Sequence, residues 1–139
     1  MDLEEFATRG AAAQTAVNEL GAGPHPHFDL RAHLERQREW SAHTFGPGTR
    51  TEGISDHIRK ELAEIADKPH DLSEWIDVVL LALDGAWRAG YTAAEICAAL
   101  AQKQRKNELR KWPDWRTAEL GKAIEHDRSA DGAKPEGES

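Results

Sequence analysis

Residues 72–89, LSEWIDVVLLALDGAWRA, constrain the architecture more than any other part of the chain, being long enough for about five turns of helix and apolar on nearly every side. At about 100° per residue, Leu72, Trp75, Ile76, Val79 and Leu83 form one stripe, while Val78 and Leu81 point the other way. A helix apolar all round is expected to be buried all round, so the rest of the chain must supply the helices that cover it. The sequence complies. Asp29 is a natural N-cap for a helix to about His43, where FGPG breaks it. Another is expected from about Ser55 to Asp67, stopped at Pro69. Asp71 caps the apolar helix, expected over 72–89 and ended by Gly90. Thr92 and Glu95 spell a capping box for a further helix over about 93–111, stopped by Pro113. No period-two alternation interrupts the series, so the fold class is all-α, with core helices from about 29 to 112.

The flanks are simpler. Residues 2–20 favour a helix weakened by Gly10, and GAGPHPH is a linker, giving an N-terminal helix and linker over 1–27. A short helix is expected over about 114–126, closing a domain of residues 28–126. Residues 127–139 lack apolar content and are expected to form a disordered tail. A net charge of −7 argues against a nucleic-acid polymer as partner, since neutralising phosphates needs clustered Lys and Arg. The single cysteine, Cys97, rules out a disulfide framework and favours a reducing compartment. With an acidic start and no membrane-length apolar run, the expected location is the cytoplasm, or the host cytoplasm for a phage protein.

The chemistry is concentrated in two acid pairs. Glu61 and Glu64 border the Ile54, Ile58, Leu62, Ile65 stripe, and Glu74 and Asp77 lie on the Leu81 side of the next helix. Either pair alone is an ordinary helix surface, and Glu74 also stands where a capping-box partner of Asp71 belongs. Together, four like charges on neighbouring antiparallel helices repel unless a cation lies among them. Oxygen ligands without His or Cys point to Mg2+, with Mn2+ as a substitute. A di-iron bundle needs Glu-x-x-His, which no glutamate here provides.

Other polar residues lie where ligand contacts are expected. The stripe through Ile96, Ala99 and Leu100 continues as Lys103, Asn107 and Arg110, which can meet phosphate oxygens or simply snorkel from a helix end. On the helix after Asp29, Leu30 and Leu34 give way to Gln37, Ser41 and Thr44, with Trp40 and Phe45 available to stack on a base or to join the core. Asp84, one turn past Asp77, is a further metal or sugar contact or a plain helix-face acid.

The pattern Glu61-x-x-Glu64, then Glu74-x-x-Asp77, with Lys103 and Asn107 later, resembles the MazG-like all-α nucleoside triphosphate pyrophosphohydrolases, which use ExxE and ExxD on neighbouring helices as a magnesium site. The wording from Arg36 to His126, including RQREWSAHTFGPGTR, DHIRKELAEI and KQRKNELRKWPDWR, is similar to the phage and bacterial dATP/dGTP diphosphohydrolase subgroup. Residues 65–73 make a shorter connection than is usual in the family, which removes substrate contacts available to longer-loop relatives. The resemblance implies hydrolysis of (deoxy)purine triphosphates, dGTP/GTP or dATP, to monophosphate and pyrophosphate, by a homo-oligomer, dimer or tetramer. It further implies Glu61, Glu64, Glu74 and Asp77 as metal ligands. Glu61 or Glu64 is then the expected general base, with Lys103, Asn107, Arg110, Gln37, Trp40 and Asp84 as substrate contacts. The rival is a non-catalytic helical oligomerisation or partner-binding protein built on the five tryptophans.

Overall fold

The computed structural model describes residues 27–131. Four helices carry them: α1, Leu30–Phe45; α2, Thr51–Asp67; α3, Leu72–Arg88; and α4, Ala93–Leu109. No strand occurs among the described residues. The expected caps are in place. Asp29 accepts from the Ala32 amide at 3.1 Å, and Asp71 accepts from the Ser73 amide and hydroxyl at 3.0 and 2.7 Å. The Thr92–Glu95 box closes reciprocally, at 2.8 Å from the Thr92 amide to Glu95 Oε2 and 3.2 Å from the Glu95 amide to Thr92 Oγ1. Gly46 and Gly90 end α1 and α3 with φ of 87° and 105°, a backbone that favours glycine.

The chain divides after Cys97 into two compact units, with α4 starting in the first and ending in the second. In the first unit α2 and α3 form an antiparallel hairpin, and α3 also packs on α1. The hairpin is tight. The Lys68 amide donates to Glu64 O at 2.8 Å, the Asp71 amide to Lys68 O at 3.0 Å, and the Trp75 indole spans the turn to Pro69 O at 3.1 Å. Helix α2 starts four residues before the expected Ser55, because the Ile54 amide closes a first turn on Arg50 O at 2.9 Å and buries Ile54 in the core. Leu34, Ile65 and Ile96 complete the buried apolar set.

Two expectations about burial and helicity fail. Leu72, Trp75, Ile76 and Val79 of α3 are exposed, while Asp84 and Arg88 are buried. The side of α3 that carries Leu81, Asp84 and Arg88 is therefore the inward one, because a buried ion pair and the α2 hairpin claim it, with Glu74 half-buried and Asp77 exposed at its edge. The expected helix over 114–126 is absent. Only 3-10 turns form, at Trp115–Thr117 and Arg128–Ala130, capped by Asp114 and Asp127. Extended backbone at Ala118 and a left-handed Gly121 (φ 77°) stop propagation, and the fully exposed Leu120 gives a helix there nothing to bury.

In the second unit the Trp112 indole donates to Asn107 O at 2.7 Å, and the Asp127 amide returns to Lys111 O at 2.9 Å. The expected helix over 2–20, all but the last residue of its linker, and residues 132–139 of the expected tail lie outside the described residues. Among the described residues no helix is long and apolar enough to cross a membrane.

Candidate metal and nucleotide site

The short hairpin sets the register of α2 against α3. Ile54 Cγ2 would lie 3.8 Å from a Cβ at Gly85, and Glu64 faces Glu74 across the turn end. Glu61, Glu64 and Glu74 each offer a carboxylate oxygen within 4.8 Å of the others, close enough for one cation to be shared. The Asp71 amide donates to Lys68 O, so Glu74 does not close a capping box and is left to face Glu64. Glu74 has its carboxyl pushed above the ordinary range, first by desolvation and then by the hydrogen bond and charge of Glu64. An upward shift of this kind reflects like charge crowded at one place, which a cation there would relieve. The residues fit a hard divalent ion: all-oxygen donors converging from two helices, with Lys68 offsetting the repulsion at Glu74 only as the smallest contribution.

Asp77 stands outside that trio but lines the same cavity as Glu61. This cavity, of about 280 Å³, runs between α1, α2 and α3. Trp40, Phe45, Ile54 and Leu81 give it apolar walls, with Glu61 and Asp77 at one end and Arg50 and Asp84 toward the other. Trp40 and Phe45 meet edge to face at 5.4 Å.

Two residues offered by the sequence as ligand contacts are already engaged. Gln37 lines the cavity, yet its amide donates to Leu80 O at 2.8 Å and its oxygen meets His33 Nε2 at 3.0 Å. Asp84 accepts from Ser41 Oγ at 2.6 Å, the Trp87 indole at 2.8 Å and Arg88 Nε at 3.1 Å. Arg88 in turn donates to Gly46 O and Gly48 O at 2.9 and 2.8 Å. Asp84 is thus the centre of a buried network that holds the 46–48 turn, and the network occupies both of its oxygens.

Lys103, Asn107 and Arg110 belong to the second unit. There Lys103 is exposed, and Arg110 donates to Asn107 Oδ1 at 2.9 Å and pairs with Asp131 at 3.4 Å.

The model of the dATP/dGTP pyrophosphohydrolase family matches residues 33–131. The chain belongs to this family. No curated protein and no solved structure gives a match. As a dATP/dGTP pyrophosphohydrolase family member it is a hydrolase acting on phosphoric anhydrides, a nucleoside triphosphate pyrophosphohydrolase, which decides against the non-catalytic alternative.

His57 was not foreseen. Its Nε2 lies 2.9 Å from Glu61 Oε1, one helical turn before it, and it lines the cavity. The i, i+4 spacing from Glu61 was the available signal. Arg88 carried a similar one, four residues after Asp84 on the same helix.

Proposed function

We propose that the chain hydrolyses a purine (deoxy)nucleoside triphosphate to monophosphate and pyrophosphate, with Glu61, Glu64, Glu74 and Asp77 holding Mg2+ against the triphosphate. The observation that carries this reading is the convergence of three carboxylates from α2 and α3, one of which, Glu61, also lines a cavity with aromatic walls. Mn2+ serves the same donor set. Bound there, the divalent ion supplies charge neutralisation and Lewis-acid polarisation of the phosphoryl oxygens.

The chain's own groups do the rest. Glu61 or Glu64 accepts the proton of the attacking water as it adds to phosphorus and the pyrophosphate oxygen departs. His57 Nε2, 2.9 Å from Glu61 Oε1, is placed to steady the Glu61 carboxylate beside the cavity. Trp40 and Phe45 provide the aromatic wall for the base. For Lys103, Asn107 and Arg110 the proposed role, meeting the charge of the departing pyrophosphate, rests on the sequence. The apolar face of α3 left exposed in the single chain supports a homo-oligomer. The absence of a membrane-length helix among the described residues fits a protein acting on free nucleotides in the cytoplasm.

One assay tests the proposal. The eight common nucleoside triphosphates are incubated with and without Mg2+, and monophosphate, pyrophosphate and inorganic phosphate are quantified. Monophosphate and pyrophosphate in equal amounts, only with the metal, are expected. Glu64→Gln and Asp77→Asn should abolish that turnover while helical circular dichroism is retained. Near-normal hydrolysis by either folded variant removes that residue from the metal site.

A further inference from the structure

The cavity contains one cation whose hydrogen-bonding capacity is unspent. Of its polar side chains, Gln37, Ser41 and Asp84 are each hydrogen-bonded to protein partners, and His57 sits 2.9 Å from Glu61 Oε1. Glu61 and Asp77 are acceptors. Arg50 is the exception: among the described residues its guanidinium makes no ion pair and no hydrogen bond. It lies over the Phe45 ring, its carbon 5.0 Å from the centroid, with Nη2 3.6 Å from where a Cβ of Gly53 would be. The ring contact leaves its five N–H donors unused.

Position along α2 says which part of a substrate Arg50 meets. It is the N-cap residue, eleven positions before Glu61, which is roughly 16 Å of helix axis at ~1.5 Å per residue. With the phosphates at the Glu61, Glu64, Glu74 end, the far end of the cavity receives the base. The turn that carries this end is held by buried Arg88 through Gly46 O and Gly48 O, so Phe45 and Arg50 are presented by a braced segment.

We infer that Arg50 is a specificity-determining residue that selects a 6-oxopurine, guanine or hypoxanthine, by donating two parallel N–H bonds to O6 and N7 of the base. This rests on the function proposed above. An arginine only donates. A 6-oxopurine presents two adjacent acceptors on that edge, whereas adenine presents N7 beside an amino donor, so the same fork meets one acceptor and one opposing N–H. The aromatic wall of Trp40 and Phe45 is common to both purines and does not discriminate. Discrimination on the order of ten- to a hundred-fold in kcat/KM is what one such bidentate contact provides.

The test is steady-state kcat/KM of the full chain with Mg2+ on dGTP, dITP, 7-deaza-dGTP and dATP, for the wild type, Arg50→Ala and Arg50→Lys. The wild type should prefer dGTP and dITP over dATP by about ten-fold or more. Removal of N7 in 7-deaza-dGTP should erode most of that preference, and this arm needs no variant to fold. In both variants the dGTP to dATP ratio should fall toward one, because Lys keeps the charge but lacks the fork. A wild type that favours dATP, or a ratio unchanged in the variants because dGTP and dATP lose activity equally, overturns the inference; the second result would place Arg50 on phosphate or sugar. Hydrolysis without base preference sinks the inference alone. Absence of any triphosphate hydrolysis removes the proposed function and the inference with it.

Discussion

Arg88 and Asp84 have side chains only 2% and 8% exposed, and each is useful to the fold only in the presence of the other. Asp84 joins α1 through Ser41 Oγ, and Arg88 joins the following turn through Gly46 O and Gly48 O. Removing one partner of a buried pair leaves an uncompensated charge in a region of low polarisability, which generally costs about 3–5 kcal/mol. Arg88→Met should therefore lower unfolding stability by about that amount in a urea titration, far beyond a surface substitution. Arg88→Met combined with Asp84→Asn should recover part of the loss, because the stranded carboxylate is gone. A single variant as stable as the wild type would mean that water, not the guanidinium, solvates Asp84. The pair also shows why a residue's chemistry is not its role. Asp84 continues an acidic series along α3 after Glu74 and Asp77, yet it is the one whose counter-ion comes from its own helix, at i+4.

Helix α3 puts propensity and packing in conflict at Gly85, a glycine inside a helix where a Cβ would make only an ordinary 3.8 Å contact with Ile54 Cγ2. Since nothing there requires a missing side chain, Gly85→Ala should stabilise the protein by about 0.5–1 kcal/mol through helix propensity and reduced unfolded-state entropy. A loss of stability on thermal denaturation would show that the α2–α3 approach is tighter than that contact implies. The start of α3 carries a pH dependence. The Ser73 hydroxyl and amide hold the Asp71 carboxyl below its ordinary range. A folded value below the unfolded one gives stability that is fully present above the ordinary carboxylate pKa and disappears as pH falls through the folded value. Asp71→Asn, which keeps a capping acceptor, should flatten this part of the decline when melting temperature is followed from neutral to acid pH. Much at this scale was legible in the sequence: the caps at Asp29, Asp71 and Thr92 and the stops at Gly46 and Gly90 are local signals, and they bound the helices. Glu61, Glu64 and Glu74 were legible for the same reason, because helical spacing and a short loop fix their approach. What periodicity could not reveal was which side of α3 faces inward, since the helix is apolar on both sides and the choice is made by Arg88 and the hairpin. The failed helix at 114–126 has a similar origin: its residues permit a helix, but they have no apolar face that a helix would bury.

At the scale of the molecule, the exposed face of α3 is the outstanding apolar debt. Trp75 and Val79 are half-exposed, as are Ile76 and, on α2, Leu62. With Ile54 set against Gly85 and Glu64 against Glu74, the antiparallel register brings Leu62 level with Ile76 along the hairpin. Its opposite side carries the acid cluster and the cavity, so covering the apolar face leaves the mouth of the nucleotide site open. A second copy of the chain is the proposed occupant, and a helix face of this kind associates through non-directional burial of apolar area. Two carboxylates placed in it should prevent association, because burying them unpaired costs more than the apolar contact returns. Ile76→Glu with Val79→Glu is the informative variant, since neither side chain belongs to the buried core or lines the cavity. In sedimentation velocity at matched concentration the wild type should run as a dimer or tetramer and the double variant as a monomer, with helical circular dichroism retained in both. Identical sedimentation of the two would remove this face from the interface and leave its exposure without a partner.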